Sequence, residues 1–200
     1  KLPDAEKDAT KWLSVKYSMP IWIVRLWLDA YGRERTEGVL RSLLEIHPVS
    51  VRFRKDLPEA EREKIVRKLQ AEGVDLSQND KLPYLYLADH SEKLFKMPEF
   101  AAGSYLVQDA SSVFAVEAAG IRTGDLVMDI CAAPGGKSIL AAELTGETGK
   151  VIARDVSEAK TGVIEENCAR MGMKNITVEV WDATETDEAY CEKADVLLAD

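Results

Sequence analysis

Apolar residues recur at Ile21, Val24, Leu28 and Tyr31, and Ile23 and Trp27 widen that stripe into a broad face. The spacing predicts a helix capped by Ser18, with Pro20 in its first turn, that runs to Tyr31 and stops at Gly32. A second helix is predicted after Thr36, carrying Val39, Leu40, Leu43 and Leu44 and ending before His47-Pro48. The period then switches to two. Val49, Val51 and Phe53 point one way and Ser50, Arg52 and Arg54 the other, which predicts a half-buried strand with a basic face. A charged helix from Glu59 to Glu72 with Gly73 as its stop, and a strand over Tyr84–Leu87, complete a small α+β module.

Met97-Pro98 to Gly103-Ser104 reads as a linker, so domains are expected over 1–98 and 99–200. Beyond it a helix is predicted over Ala110–Ala119. A regular alternation follows: strand Leu126–Ile130, helix Lys137–Leu144, strand Val151–Asp155, helix Ser157–Met171, and strands Ile176–Val180 and Val196–Ala199. Strands and helices at this spacing imply βαβ units and a parallel sheet with helices on both faces.

Charge sharpens the division. The 200 residues carry a formal net charge of −9. Residues 1–98 hold 18 Lys+Arg against 16 Asp+Glu, net +2, whereas residues 99–200 hold 8 against 19, net −11. A polyanion is therefore expected at the first half, where Arg52 and Arg54 are the candidate RNA-phosphate contacts. An exposed basic strand face is ordinary solvated surface about as often. Cys131, Cys168 and Cys191 form no C-x-x-C pair, and two histidines complete no zinc site with them. The expectation is a reduced cytoplasmic protein, monomeric and without metal, leader or membrane span. Trp22 and Trp27 read as core on an amphipathic helix, and His47 and His90 have no triad partner.

The candidate chemistry lies in Asp129-Ile130-Cys131-Ala132-Ala133-Pro134-Gly135-Gly136-Lys137-Ser138, where a first strand passes into a helix. Small residues and paired glycines let main-chain N–H groups approach a ligand, and the helix N-terminus favours an anion. Cys131–Ser138 nearly matches a phosphate loop, G-x-x-x-x-G-K-[ST], but Cys replaces the first Gly. Acids close successive strands: Asp129, Asp155, Asp182 two residues past the third strand, and Asp200. In a parallel sheet they converge on one edge. An acid ending the second strand suits a ribose diol, and one after the third can reach an adenine amino group. That edge fits the adenosine and sulfonium of S-adenosyl-L-methionine better than a triphosphate.

The motif Asp129–Lys137 closely resembles the first motif of the RsmB (Sun/Fmu-type) family of RNA cytosine-C5 methyltransferases. Two flanking stretches resemble the same family, Phe100-Ala101-Ala102-Gly103-Ser104-Tyr105-Leu106-Val107-Gln108-Asp109-Ala110-Ser111 and Tyr17-Ser18-Met19-Pro20-Ile21-Trp22 with Tyr31-Gly32, so that the likeness spans nearly the whole chain from about Lys11. The resemblance implies a Rossmann-like class I methyltransferase sheet, truncated after its fourth strand and preceded by an RNA-positioning module. It implies that Cys131, Ala132, Ala133, Pro134, Gly135, Gly136 and Lys137 hold the methionine end of S-adenosyl-L-methionine, Asp155 the ribose, Asp182 the adenine and Asp200 the reacting end. RNA, ribosomal or transfer, is the implied partner, and small-subunit rRNA is favoured. Lys160 stands where the family commonly has arginine. The family's two catalytic cysteines, in Pro-Cys and Thr-Cys motifs beyond the acid matching Asp200, are not in these 200 residues. The chain is therefore expected to be an inactive fragment of a longer enzyme, with Cys131 a packed structural residue and Cys168 and Cys191 incidental. A P-loop-like nucleotide-binding protein and a non-catalytic RNA-binding protein are the alternatives.

Overall fold

The computed structural model describes residues 3–45 and 47–200. Two compact units divide the chain at His47/Pro48. In the first, helix α1 (Ala9–Lys16) is capped by Asp8, whose carboxylate accepts the Lys11 N–H at 2.9 Å, and helix α2 spans Ile21–Ser42. Gly32 breaks α2 at φ +75°, ψ 174°, where a stop was expected, but the helix resumes at once and Thr36 lies buried inside it. Ser18 does not cap: it sits at φ +52°, and Pro20 precedes the helix. The buried face is narrower than the stripe predicts. Leu13, Tyr17, Val24 and Leu40 form the core, while Ile21, Tyr31, Val39, Leu43 and Leu44 are exposed.

Among the described residues, the second unit holds two four-stranded sheets. The antiparallel one has order β2-β3-β1-β4, with β1 Val49–Phe53, β2 Asp75–Gln78, β3 Leu85–Asp89 and β4 Tyr105–Val107; helix α3 (Glu59–Ala71) leads from β1 to β2. The parallel sheet runs β7-β6-β5-β8, with β5 Leu126–Asp129, β6 Lys150–Asp155, β7 Ile176–Val180 and β8 Val196–Leu198. Helix α5 (Ala110–Ala118) precedes β5, and helices α6 (Gly136–Thr145) and α7 (Glu158–Met171) make the crossovers from β5 to β6 and from β6 to β7. This is the Rossmann-like order, with the first strand central and the chain reversing direction on the far side of it.

The junction expected at 97–104 lies inside the second unit. Helix α4 (Pro98–Ala101) and β4 fall there, and Gly103 takes φ +71° with its Cα against the Arg170 carbonyl of α7, so close that a Cβ would stand 2.2 Å from that oxygen. Arg170 donates to the carbonyls of Phe100 (2.9 Å) and Tyr105 (3.1 Å) and stacks on the Phe100 ring. Val51, Phe53 and Leu85 of the antiparallel sheet share one core with Val127, Leu140 and Val151 around the parallel one.

The basic face predicted for β1 is not solvated. Arg52 is fully buried: its Nε donates to Gln108 Oε1 at 2.7 Å and its Nη1 to Glu143 Oε2 of α6 at 2.6 Å. Helix α6 supplies Glu143 on the face that alternation assigned to water, and Arg52, with no exposed surface, cannot meet an RNA phosphate there. Arg54 is chelated by Asp56 instead, Nε to Oδ1 at 2.8 Å.

Arg52→Met leaves the Glu143 carboxylate buried without its cation, and removing one member of such a pair costs about 3–5 kcal/mol. Urea unfolding of R52M should show that loss, and a second substitution, Glu143→Leu, should restore most of it. A loss under about 1 kcal/mol, the range of exposed pairs, would show that the joint contributes no more than a surface contact.

Candidate cofactor-binding site

Strand β5 ends at Asp129, and the turn that follows stays fastened to its neighbours. Ile130 N–H donates to Leu198 O (3.1 Å), and Ala132 N–H donates to Arg154 O (2.8 Å). Ala133-Pro134 is a cis peptide, and Gly135, at φ +101°, precedes α6. The glycines do more for packing than the sequence suggests. A Cβ on Gly135 would press on Ile164 of α7 at 3.2 Å, and one on Gly136 would meet the Gln108 side chain at 3.1 Å. The turn is thus held between α7 and the Gln108 amide that Arg52 anchors.

The strand-ending acids reach one edge of the sheet, as predicted, but do different things there. Asp129 is buried and accepts the Ser138 hydroxyl at 2.7 Å; burial pushes its carboxyl above the usual range against the pull of Ser138 and Lys137. Asp155 accepts Ala133 N–H at 3.1 Å through one oxygen, and Val156 N–H (2.8 Å) and the Lys160 ammonium (3.0 Å) through the other. Burial opposes its ionisation, but Lys160 and the two amides outweigh burial and hold its pKa below the ordinary value. Asp200 pairs with Lys137 at 2.7 Å, which lowers its pKa as well. Asp182 is exposed on the segment after β7, its carboxylate accepting the Thr184 N–H (2.9 Å) and hydroxyl (2.7 Å).

The turn, Asp155, Lys137 and Asp200 therefore form one bonded constellation, with Asp182 on the same edge and unbonded to them. Two features favour an adenosyl ligand over a phosphate loop. The Ser138 hydroxyl, which would have to face a magnesium ion, is buried on Asp129, and Lys137 is matched to a carboxylate. Among the described residues, no group of three His, Cys, Asp or Glu side chains could hold a metal ion. No helix there is long and apolar enough to cross a membrane.

Two grooves differ in kind. One of about 710 Å³, lined by Arg54, Asp56, Glu143, Glu147, Met173 and Asn175, lies at the amino ends of the parallel strands, away from the acids. A smaller one of about 490 Å³ runs along Ser111, Ser112, Lys137, Leu198 and Asp200 at the carboxyl ends. Ligands of open α/β sheets bind at the carboxyl ends, and of the acids there the smaller groove reaches Asp200, with Lys137, while Asp155 and the Cys131–Gly136 turn lie outside it.

Sequence reasoning missed the roles of two side chains here and the pairing of a third that it had named. Lys160 is the counter-ion of Asp155, legible only as a charge one helical turn past the strand. Gln108 stands behind Gly136, and Arg154 is 3% exposed in mid-sheet with no pattern to announce it. Cys131, expected to be packed, is exposed on the turn.

Residues 111–200 match the sequence model of the 16S rRNA methyltransferase RsmB/F family. A probable ribosomal RNA small subunit methyltransferase B of Bacillus subtilis is 32% identical over 203 residues, covering 98% of this chain and 44% of that protein. Over residues 111–200 the chain is similar to the RsmB/F family. The human 28S rRNA (cytosine(4447)-C(5))-methyltransferase is 29% identical over 172 residues, 85% of this chain and 21% of that protein. The crystal structure of PH0851 superposes on this chain with a TM-score of 0.83 at 28% identity, covering 99% of the chain and 44% of the other. The chain thus spans under half the length of each of these three relatives.

A buried acid whose folded pKa is raised contributes no penalty below the ordinary carboxylate range, where it is protonated folded and unfolded alike; the penalty grows as pH rises through the folded pKa. Asp129→Asn, which can still bond Ser138, should therefore gain stability relative to the native chain between pH 4 and pH 7.5. Thermal unfolding across that range checks it, and a difference that shrinks with rising pH would contradict the assignment of Asp129 as a desolvated acid.

Proposed function

We propose that this chain is part of an RNA methyltransferase that transfers a methyl group from S-adenosyl-L-methionine to C5 of cytosine in small-subunit ribosomal RNA. The observation that carries the cofactor is the bonded constellation of the Cys131–Lys137 turn with Asp155 and Asp200 at the carboxyl edge. The donor set suits that molecule. Main-chain groups of the turn and the Lys137 ammonium can take the methionine amino acid, the Asp155 carboxylate both ribose hydroxyls, and Asp182 the adenine amino group. Lys160, half-exposed on its helix, can swing away from Asp155 when a diol takes its place. Bound there, the cofactor supplies an electrophilic methyl group on a sulfonium centre. Asp200 stands at the reacting end, its carboxylate kept ionised by Lys137.

The RNA and cytosine parts rest on the relatives, whose names place their own activity on ribosomal RNA and, for the human one, on cytosine C5. The antiparallel module, packed behind the turn, is assigned to positioning RNA, through surfaces other than Arg52. Attack on the pyrimidine requires a thiolate at the ring face. Cys168 is ill suited, since burial pushes its thiol up to about 11. Cys131 is assigned to the turn and Cys191 to a loop whose thiol faces the Asp187 carbonyl, so the 200 residues alone are not expected to turn over. A cytoplasmic, monomeric protein accompanies this reading.

The test is calorimetric. Asp155→Ala removes two charge-assisted hydrogen bonds to the ribose, each about 1.5–3 kcal/mol, so S-adenosylhomocysteine should bind at least roughly tenfold more weakly. Unchanged affinity would remove Asp155 from the site and the adenosyl reading with it.

A further inference from the structure

The connection from β7 to β8, residues 181–195, contains turns but no helix or strand. In an open parallel sheet that crossover is ordinarily a helix, whose packing fixes where the strand ends stand. Here the position of Asp182 depends on side chains and on a few local main-chain bonds. Arg154, one residue before Asp155 on β6, is the side chain placed to fix it. Its Nε donates to Glu179 Oε2 of β7 at 2.8 Å, and its Nη2 donates to Asp187 Oδ2 of the connection at 2.5 Å. Its guanidinium lies over the Trp181 ring at 4.6 Å and the Tyr190 ring at 5.0 Å. The grip extends to the main chain around Asp182. Trp181 N–H donates to Asp155 O at 3.0 Å, and its indole N–H donates to Glu185 O at 3.1 Å.

One buried cation thus touches the strand before the connection, the residue adjoining Asp182, and two points further along. A planar fork between two carboxylates and two rings is a task for arginine and not for lysine, which keeps the charge but loses the paired donors and the stacking. Arg154 and Asp155 are successive residues of a strand, so their side chains leave opposite faces. Arg154 is therefore free to act on the connection while Asp155 serves the cleft.

We propose that Arg154 is a positioning residue that sets base selectivity: by clamping residues 181–195 it holds the Asp182 carboxylate where it accepts a hydrogen bond from an exocyclic adenine amino group. The proposal rests on the adenosyl-cofactor reading above. A carboxylate so placed attracts a 6-amino purine and repels a 6-oxo purine, which presents an acceptor to an acceptor. The signature of the clamp is therefore a ratio of affinities, which a general loss of stability would not move.

The experiment titrates the protein with S-adenosylhomocysteine and with its 6-oxo analogue S-inosylhomocysteine. The native protein should prefer the adenosyl compound by about tenfold or more, since a site built to accept a hydrogen bond rejects a partner that cannot donate one. Asp182→Asn and Arg154→Lys should each lower that ratio by about fivefold or more, with R154K leaving the inosyl affinity within about threefold of native. Should R154K fold poorly, Asp187→Asn and Tyr190→Leu loosen the clamp from the connection side and carry the same expectation. A ratio unchanged in R154K, or both compounds weakened equally, with D182N effective, would overturn the positioning role and leave the cofactor reading standing. A ratio unchanged in D182N would overturn the adenine contact and the proposal together. Failure of the native protein to bind either compound would overturn the cofactor reading itself.

Discussion

A guanidinium buried between a sheet and a helix tolerates little freedom in its neighbours. Arg52 gives up water entirely, so Glu143 and Gln108 must both be where its donors point, or the desolvation of a cation goes uncompensated. Glu143 lies on α6 and Gln108 just past β4. Their shared partner therefore fixes the antiparallel sheet against the first helix of the parallel one. Gln108 in turn fills the space beside Gly136, where α6 begins, so the fastening reaches the turn that carries the candidate chemistry. The common core joins the two sheets, and the ion pair fixes one directional contact between them.

Electrostatics at the carboxyl edge follow from how each acid is matched. Asp129 has a hydroxyl for a partner and is driven toward its neutral form, which suits a strut inside the domain. Asp155 and Asp200 each face an ammonium group and remain charged, which suits recognition. The strong negative charge of residues 99–200 is therefore partly spent on internal pairing, with Lys137 and Lys160 as the cations that the cleft keeps for itself.

The parallel sheet was legible almost residue by residue. Strands 126–129, 150–155 and 176–180 are short runs rich in Val and Ile bounded by Gly, Asp or Asn, and the helices between them carry enough apolar positions to be told from loops. The antiparallel sheet was only half legible. Strand β2, Asp75–Gln78, is mostly exposed and polar, and β4 is three residues long inside what composition marked as a linker. Neither leaves a periodic signal. The alternation of β1 was correct, but alternation says only that two faces differ, not what lies over each. That is why Arg52 was read as solvated. In the site, the motif and the acids were visible because their order along the chain is what a parallel sheet turns into a common edge. The roles of Lys160, Gln108 and Arg154 were not, because each matters through a partner between 5 and 56 residues away in sequence.

We propose that the carboxyl edge, and not the larger groove at the amino ends of the same strands, receives the adenosyl ligand. Amide hydrogen exchange in the presence and absence of saturating S-adenosylhomocysteine tests it most directly, because it reports on both edges in one measurement. The expected result is slowed exchange in the Cys131–Lys137 turn and at Val156, with residues 54–56 and 172–175 unchanged. Protection confined to 54–56 and 172–175, with the turn exchanging as in the free protein, would contradict the account.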